Sequence, residues 1–277
     1  MLTRFASQVG LARPVLAGPP EEARTLYKRS VVTTKERWSG ARLVQDRYVG
    51  DVGDYVKLAL LRALSPGMRL GVAWYRYPNE GHNEDGRHIA YLSYPSLWRD
   101  LDPVLFDHLR SVVESGRSVA ELAKSGALDA TFADETINHG MLRPKERSAA
   151  RAAWFARVKD QLNDCDLVFA DPDNGLTDDR ADRRAGAKFG KQLPLDEALD
   201  LAGNRSAVIY HHNSRFKGGH AREVDHWCSR LGLDTIAVRA TAYSCRTFFI
   251  VNPTPSLISR AVRFCKLWDS HKVRLHM

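Results

Sequence analysis

The chain has 277 residues, 44% of them hydrophobic, enough to bury a substantial core as one large or two small domains. No stretch approaches the roughly 18 uninterrupted apolar residues of a membrane-spanning helix, which argues against an integral membrane protein and for a soluble one. Lysine and arginine together number 41 against 33 acidic residues, a net charge of +8 spread along the whole sequence, which leaves a nucleic-acid or nucleotide partner open. Four cysteines, Cys165, Cys228, Cys245 and Cys265, are widely spaced without a C-x-x-C pair, as expected of reduced thiols in a cytoplasmic protein rather than a disulfide frame or zinc site.

In chain order, residues 1–40 mix basic residues with Pro14, Pro19 and Pro20 and read as a loosely packed arm, leaving 41–277 as one α/β domain. Helical spacing begins near Asp54 and runs to Leu64, followed by an apolar strand over 70–75. The polar segment 78–86 has no apolar periodicity and reads as a surface loop. Val104, Leu109, Val112 and Val113 mark a helix. Strand 128–132 follows, and a helix over 147–162, with Trp154, Phe155 and Val158 at helical spacing, leads into the central strand, 167–170. Strands at 207–210, 235–238 and 247–251 alternate with helices at 195–201, 221–231 and 255–268, the last opening on a proline in its first turn. This alternation predicts a Rossmann-like α/β fold, a mostly parallel central sheet with helices on both faces, whose closing strands include an antiparallel member.

Chemistry concentrates where the central strand ends. Asp171 is followed by Pro172, which fixes φ and removes a donor, so the chain leaves the sheet sharply. Asp173, Asn174 and Gly175 then complete a tight turn, offering carboxylate and amide oxygens to an exocyclic amine or a divalent metal; the same five residues are also ordinary turn chemistry. Tyr210, His211, His212, Asn213, Ser214 and Arg215 follow another strand. Adjacent histidines on a strand cannot point the same way, so one of His211 and His212 is a candidate base or metal ligand. Arg215, Lys217 and His220, around two glycines, suit phosphate, and Lys188 and Lys191 lie in a polar stretch that suits a lid over substrate. Tyr48, Asp51, Asp54 and Lys57 lead into the first helix, where Asp54 serves either as a cap or to orient a ligand.

The strand with Asp171 and Pro172 resembles the D-P-P-Y catalytic motif of the class I adenine-N6 methyltransferases. The surrounding chain resembles their large-subunit ribosomal RNA branch. Tyr48-Val49-Gly50-Asp51-Val52-Gly53-Asp54-Tyr55-Val56-Lys57 has the spacing of its Y-x-A-G-N-x-A-D-V-L-K-H segment. Gly86-Arg87-His88-Ile89-Ala90-Tyr91-Leu92 with Leu97-Trp98, and Phe249-Ile250-Val251-Asn252-Pro253, are similar to its G-E-Y-L, I-W and I-V-I-N-P elements, so the likeness runs from about Gln45 to Trp268. The resemblance implies a methyltransferase-like fold, S-adenosylmethionine as cofactor and a base amine as acceptor. Catalysis would then fall to Asp171, Pro172, Asp173, Asn174, His211 and His212. Cofactor contacts would come from Tyr48, Asp51, Asp54, Lys57, Trp74 and Tyr75, and substrate contacts from Lys188, Arg215, Lys217 and His220. Two departures stand out: bulky Trp74, Tyr75 and Tyr77 replace the family's glycine-rich turn, and Asp173-Asn174 replaces its proline and base-stacking aromatic residue. The alternatives are a divalent-metal hydrolase or nuclease using Asp171, Asp173 and His211 or His212, and a noncatalytic nucleic-acid-binding protein.

Overall fold

The computed structural model describes residues 49–78, 88–117, 126–242 and 245–277, all within a compact unit, Gly40–Met277. The expected arm, the loop 78–86 beyond its first residue and Tyr48 lie outside the described residues.

Helix α1 (Val52–Leu64) starts at Asp51, whose carboxylate accepts the Asp54 amide at 2.9 Å and so satisfies one of the donors that a helix start leaves without an intrahelical acceptor. Strand β1 (Leu70–Trp74) follows, then a short helix α2 (Pro95–Trp98) and α3 (Pro103–Ser115). Strand β2 (Thr131–Ala133), helix α4 (Pro144–Gln161) and strand β3 (Leu167–Asp171) come next. After β3, two two-residue strands, β4 (Leu176–Thr177) and β5 (Leu193–Pro194), pair in parallel around a one-turn helix α5 (Ala181–Arg184). Helix α6 (Leu195–Ala202), β6 (Ser206–His212), α7 (Gly219–Leu231), β7 (Ile236–Ala240), β8 (Arg246–Val251), α8 (Pro255–Leu267) and β9 (Val273–His276) complete the described chain.

Seven strands form the main sheet in the order β2-β1-β3-β6-β8-β7-β9. The pairs β2-β1, β1-β3 and β3-β6 are parallel, whereas β8 runs against both β6 and β7, and β9 against β7. Five strands therefore share one direction and two oppose it. The fold is α/β as expected, with more antiparallel pairing than a purely doubly wound sheet. Every residue of β1 and β3 is buried, because strands covered on both faces read as continuous apolar runs. Alternate side chains separate into two cores. Val72, Phe169, Val208 and Phe248 face α1, α3 and α8, while Ala73, Val168, Ile209 and Phe249 face α4, α6 and α7.

The predicted helices all form. Strand 128–132 shifts to 131–133, with Leu128 instead buried in the turn before it. The edge strand β9 and the small β4–β5 pair have no counterpart in the sequence reading, since four and two residues are too few to carry a period.

Candidate active site

Chain order reverses beside β3: β1 leads to β2 on one side, and the chain then returns to place β3 on the other. The carboxyl ends of β1 and β3 thus flank a topological switch point, where open α/β sheets leave a crevice for ligands. Trp74 and Asp171 are directly paired at that edge.

Asp171 ends β3 with its side chain only 12% exposed. Its Oδ2 accepts from Lys57 Nζ at 2.8 Å, and the same ammonium lies 2.8 Å from Asp54 Oδ1 one turn back on α1. Asp54 also accepts the Gly50 amide through Oδ2. Arg246, at the start of the reversed strand β8, approaches Asp51 Oδ2 at 3.5 Å and lies across the first turn of α1. A Cβ on Gly53 would stand 2.1 Å from the Arg246 guanidinium carbon, so only glycine leaves room for that crossing. Asp173 faces Lys191 Nζ at 3.4 Å, and that ammonium sits 5.2 Å from the centre of the Tyr77 ring.

Burial and mutual charge set the protonation of this cluster. Burial raises the Asp171 carboxyl above its usual range, although Lys57 opposes the rise. Asp51 is raised by burial and by Asp54 against the pull of Arg246. Burial works against the charge of Lys57, yet Asp171 and Asp54 outweigh it and hold the ammonium above the ordinary lysine range. Tyr210 is raised by burial, with Arg246 opposing and the Asp171 carboxylate adding to it. With all groups ionised, four carboxylates (Asp51, Asp54, Asp171, Asp173) meet three cations (Lys57, Lys191, Arg246), an excess of one negative charge.

The turn itself is tied down from two sides. Gly175, at φ +82°, lies against His211: a Cβ there would stand 2.4 Å from His211 Nδ1 and 2.8 Å from its Cα, so this position needs glycine twice over. The Asn174 amide donates to Lys191 O and the Leu193 amide to Gly175 O, both at 2.9 Å. His211 Nδ1 accepts the Leu176 amide at 3.0 Å, and its Nε2 faces Glu223 Oε1 at 3.1 Å.

The structure brings Asp51, Asp54, Lys57, Asp171 and Asp173 together, with Pro172 buried behind them and Asn174 exposed at the tip of the turn. His211 points inward and His212 outward, as strand alternation requires. Trp74 and Tyr75 are core residues: Trp74 packs on Phe132 at 4.8 Å, and Tyr75 sits edge-on to Trp154 on the opposite face of the sheet. Lys188, Arg215 and Lys217 are exposed and His220 is half-buried; among the described residues none of these four joins the ion pairs around Asp171. Arg246 and Glu223 escaped the sequence reading, and Tyr210 entered it only as the head of the 210–215 cluster, without a role. Gly53, which Arg246 crosses, gave no signal, because the sequence reading starts the helix near Asp54 whereas α1 begins at Val52.

No protein-family model matches the chain, and no curated protein is significantly similar to it.

Proposed function

We propose that this chain is a divergent methyltransferase-like enzyme that modifies an amine on a nucleotide or nucleic-acid base at the 171–175 turn. The observation that carries the reading is the cluster of seven charged side chains at the switch point between β1 and β3. Paired cations and carboxylates suit an α-amino carboxylate, the end group of S-adenosylmethionine. Lys57 and Arg246 would hold its carboxylate, and Asp54 and Asp171 its ammonium. With all seven groups ionised, the one excess negative charge favours a ligand with net charge +1, as S-adenosylmethionine has, over a phosphate. When bound, that cofactor supplies an activated methyl group on a sulfonium. Asp173 and Asn174 stand beside it to accept hydrogen bonds from the reacting amine, and burial of the cluster excludes water from the charges that orient it.

Exposed Lys188, Arg215 and Lys217 on this edge fit contacts to a phosphate backbone. The chain has no helix among the described residues long and apolar enough to cross a membrane. Its four free cysteines fit the reducing cytoplasm. The metal-dependent reading has less support. Asp171 and Asp173 face different lysines, His211 is engaged through both ring nitrogens, and among the described residues no three His, Cys, Asp or Glu side chains are arranged to hold a metal ion.

Calorimetric titration with S-adenosylmethionine and with its demethylated product tests the proposal. Micromolar binding of the cofactor, tighter than that of the uncharged-sulfur product and weakened by Asp171→Asn, is the expected outcome. Absence of heat from both ligands at millimolar concentration would refute it.

A further inference from the structure

His211 lies in a buried network that the proposed chemistry does not use. Glu223, 1% exposed on α7, receives four donors. These are His211 Nε2 at 3.1 Å, Asn213 Nδ2 at 3.0 Å, and the Ser214 amide and hydroxyl at 2.9 and 2.5 Å. Asn213 is oriented in turn by the Thr247 hydroxyl, which donates to its Oδ1 at 2.8 Å. These bonds hold the Glu223 carboxyl down at about 2, although burial opposes them.

The other side of the imidazole faces the reactive turn. A backbone amide can only donate, so the Leu176 N–H at 3.0 Å requires a bare lone pair on His211 Nδ1. The ring proton then resides on Nε2, where the carboxylate of Glu223 accepts it. A proton on Nδ1 would set two donors against each other and release the turn.

We infer that His211 and Glu223 are the positioning pair of the 171–175 turn: Glu223 fixes the imidazole as its Nε2–H tautomer, and the Nδ1 lone pair holds Leu176 and thereby Asp173 and Asn174. His211 is therefore neither the general base nor a metal ligand of this site. The inference rests on the proposed site in assigning the turn a task, while the tautomer and the clamp stand on geometry alone.

Asparagine and glutamine separate this role from mere packing. In His211→Asn the amide oxygen occupies the place of Nδ1 and still accepts from Leu176. In His211→Gln the amide reaches the place of Nε2 and leaves Leu176 without a partner. A packing role predicts the opposite ranking, because glutamine fills more of the imidazole's volume. Long-range proton–nitrogen spectra of the full chain with labelled histidine should show His211 as the Nε2–H tautomer at neutral pH. Hydrogen exchange at the Leu176 amide should quicken about tenfold in His211→Gln and stay near wild type in His211→Asn. An Nδ1–H or doubly protonated ring, or equal exchange in the two variants, would overturn the inference. Should the glutamine variant not fold, the wild-type tautomer still decides. Failure of S-adenosylmethionine to bind the wild-type chain would instead remove the functional reading and leave these results untouched.

Discussion

Lys57 is the residue whose removal tests the charge cluster most sharply. Its ammonium lies 2.8 Å from both Asp54 and Asp171 with 15% of the side chain exposed. At an effective dielectric of about 20, a unit pair at that separation attracts by roughly 6 kcal/mol, most of which offsets the desolvation of the buried charges. Lys57→Met keeps the length and apolar stem but leaves two carboxylates facing each other without a cation. The expected loss is about 3–4 kcal/mol near pH 8. Its pH dependence follows from linkage. A carboxyl whose folded-state value is raised, as Asp171's already is by burial, binds more protons folded than unfolded. Stability therefore falls as pH rises through the window between the two values and returns as pH falls. Loss of Lys57 lifts Asp171 further and widens that window upward, so the penalty should shrink by more than about 1 kcal/mol between pH 8 and pH 5. The ammonium of Lys57 itself does not blur the comparison. Its stabilisation is complete below the unfolded lysine value and is lost only as pH rises through its raised folded value, alkaline of the whole assay. Urea unfolding of both proteins across that range measures the difference. A penalty under about 1 kcal/mol, or one that does not change with pH, would mean that Lys57 does not neutralise Asp54 and Asp171.

Gly53→Ala should leave stability within about 1 kcal/mol, since alanine favours the helix while its Cβ displaces the flexible end of Arg246; calorimetry should show cofactor affinity falling at least tenfold. Arg151 is 4% exposed, bidentate to Glu197 and stacked on Tyr75 and Trp154. Arg151→Met, which strands Glu197, should cost about 3 kcal/mol, seen as a lowered thermal midpoint. Glu223 is depressed to about 2, so its stabilisation is present above the unfolded glutamate value and lost as pH falls through 2. Urea midpoints should therefore drop less on acidification in Glu223→Gln than in wild type.

Features that repeat locally along the chain were legible in its residues alone. Continuous apolar runs placed β1, β3 and β6 in the sheet, and 3.6-residue spacing located α3, α4, α7 and α8 within a few residues. A carboxylate and proline at the end of the central apolar strand marked Asp171 as the head of a turn. The surroundings of that turn emerge with the packed fold, because the contacts join residues far apart in the chain. Lys57 meets Asp171 across 114 positions, a pairing fixed by how α1 packs on the edge of β1 and β3. Arg246 reaches Asp51 because β8 runs against β6, a direction that hydrophobic patterning leaves open since both orientations bury the same alternating side chains. The same limit governs His211. Alternation assigns it an inward side, but whether an inward histidine meets a ligand, a metal or a backbone amide depends on what the fold lays against it, here Leu176 on one nitrogen and Glu223 on the other.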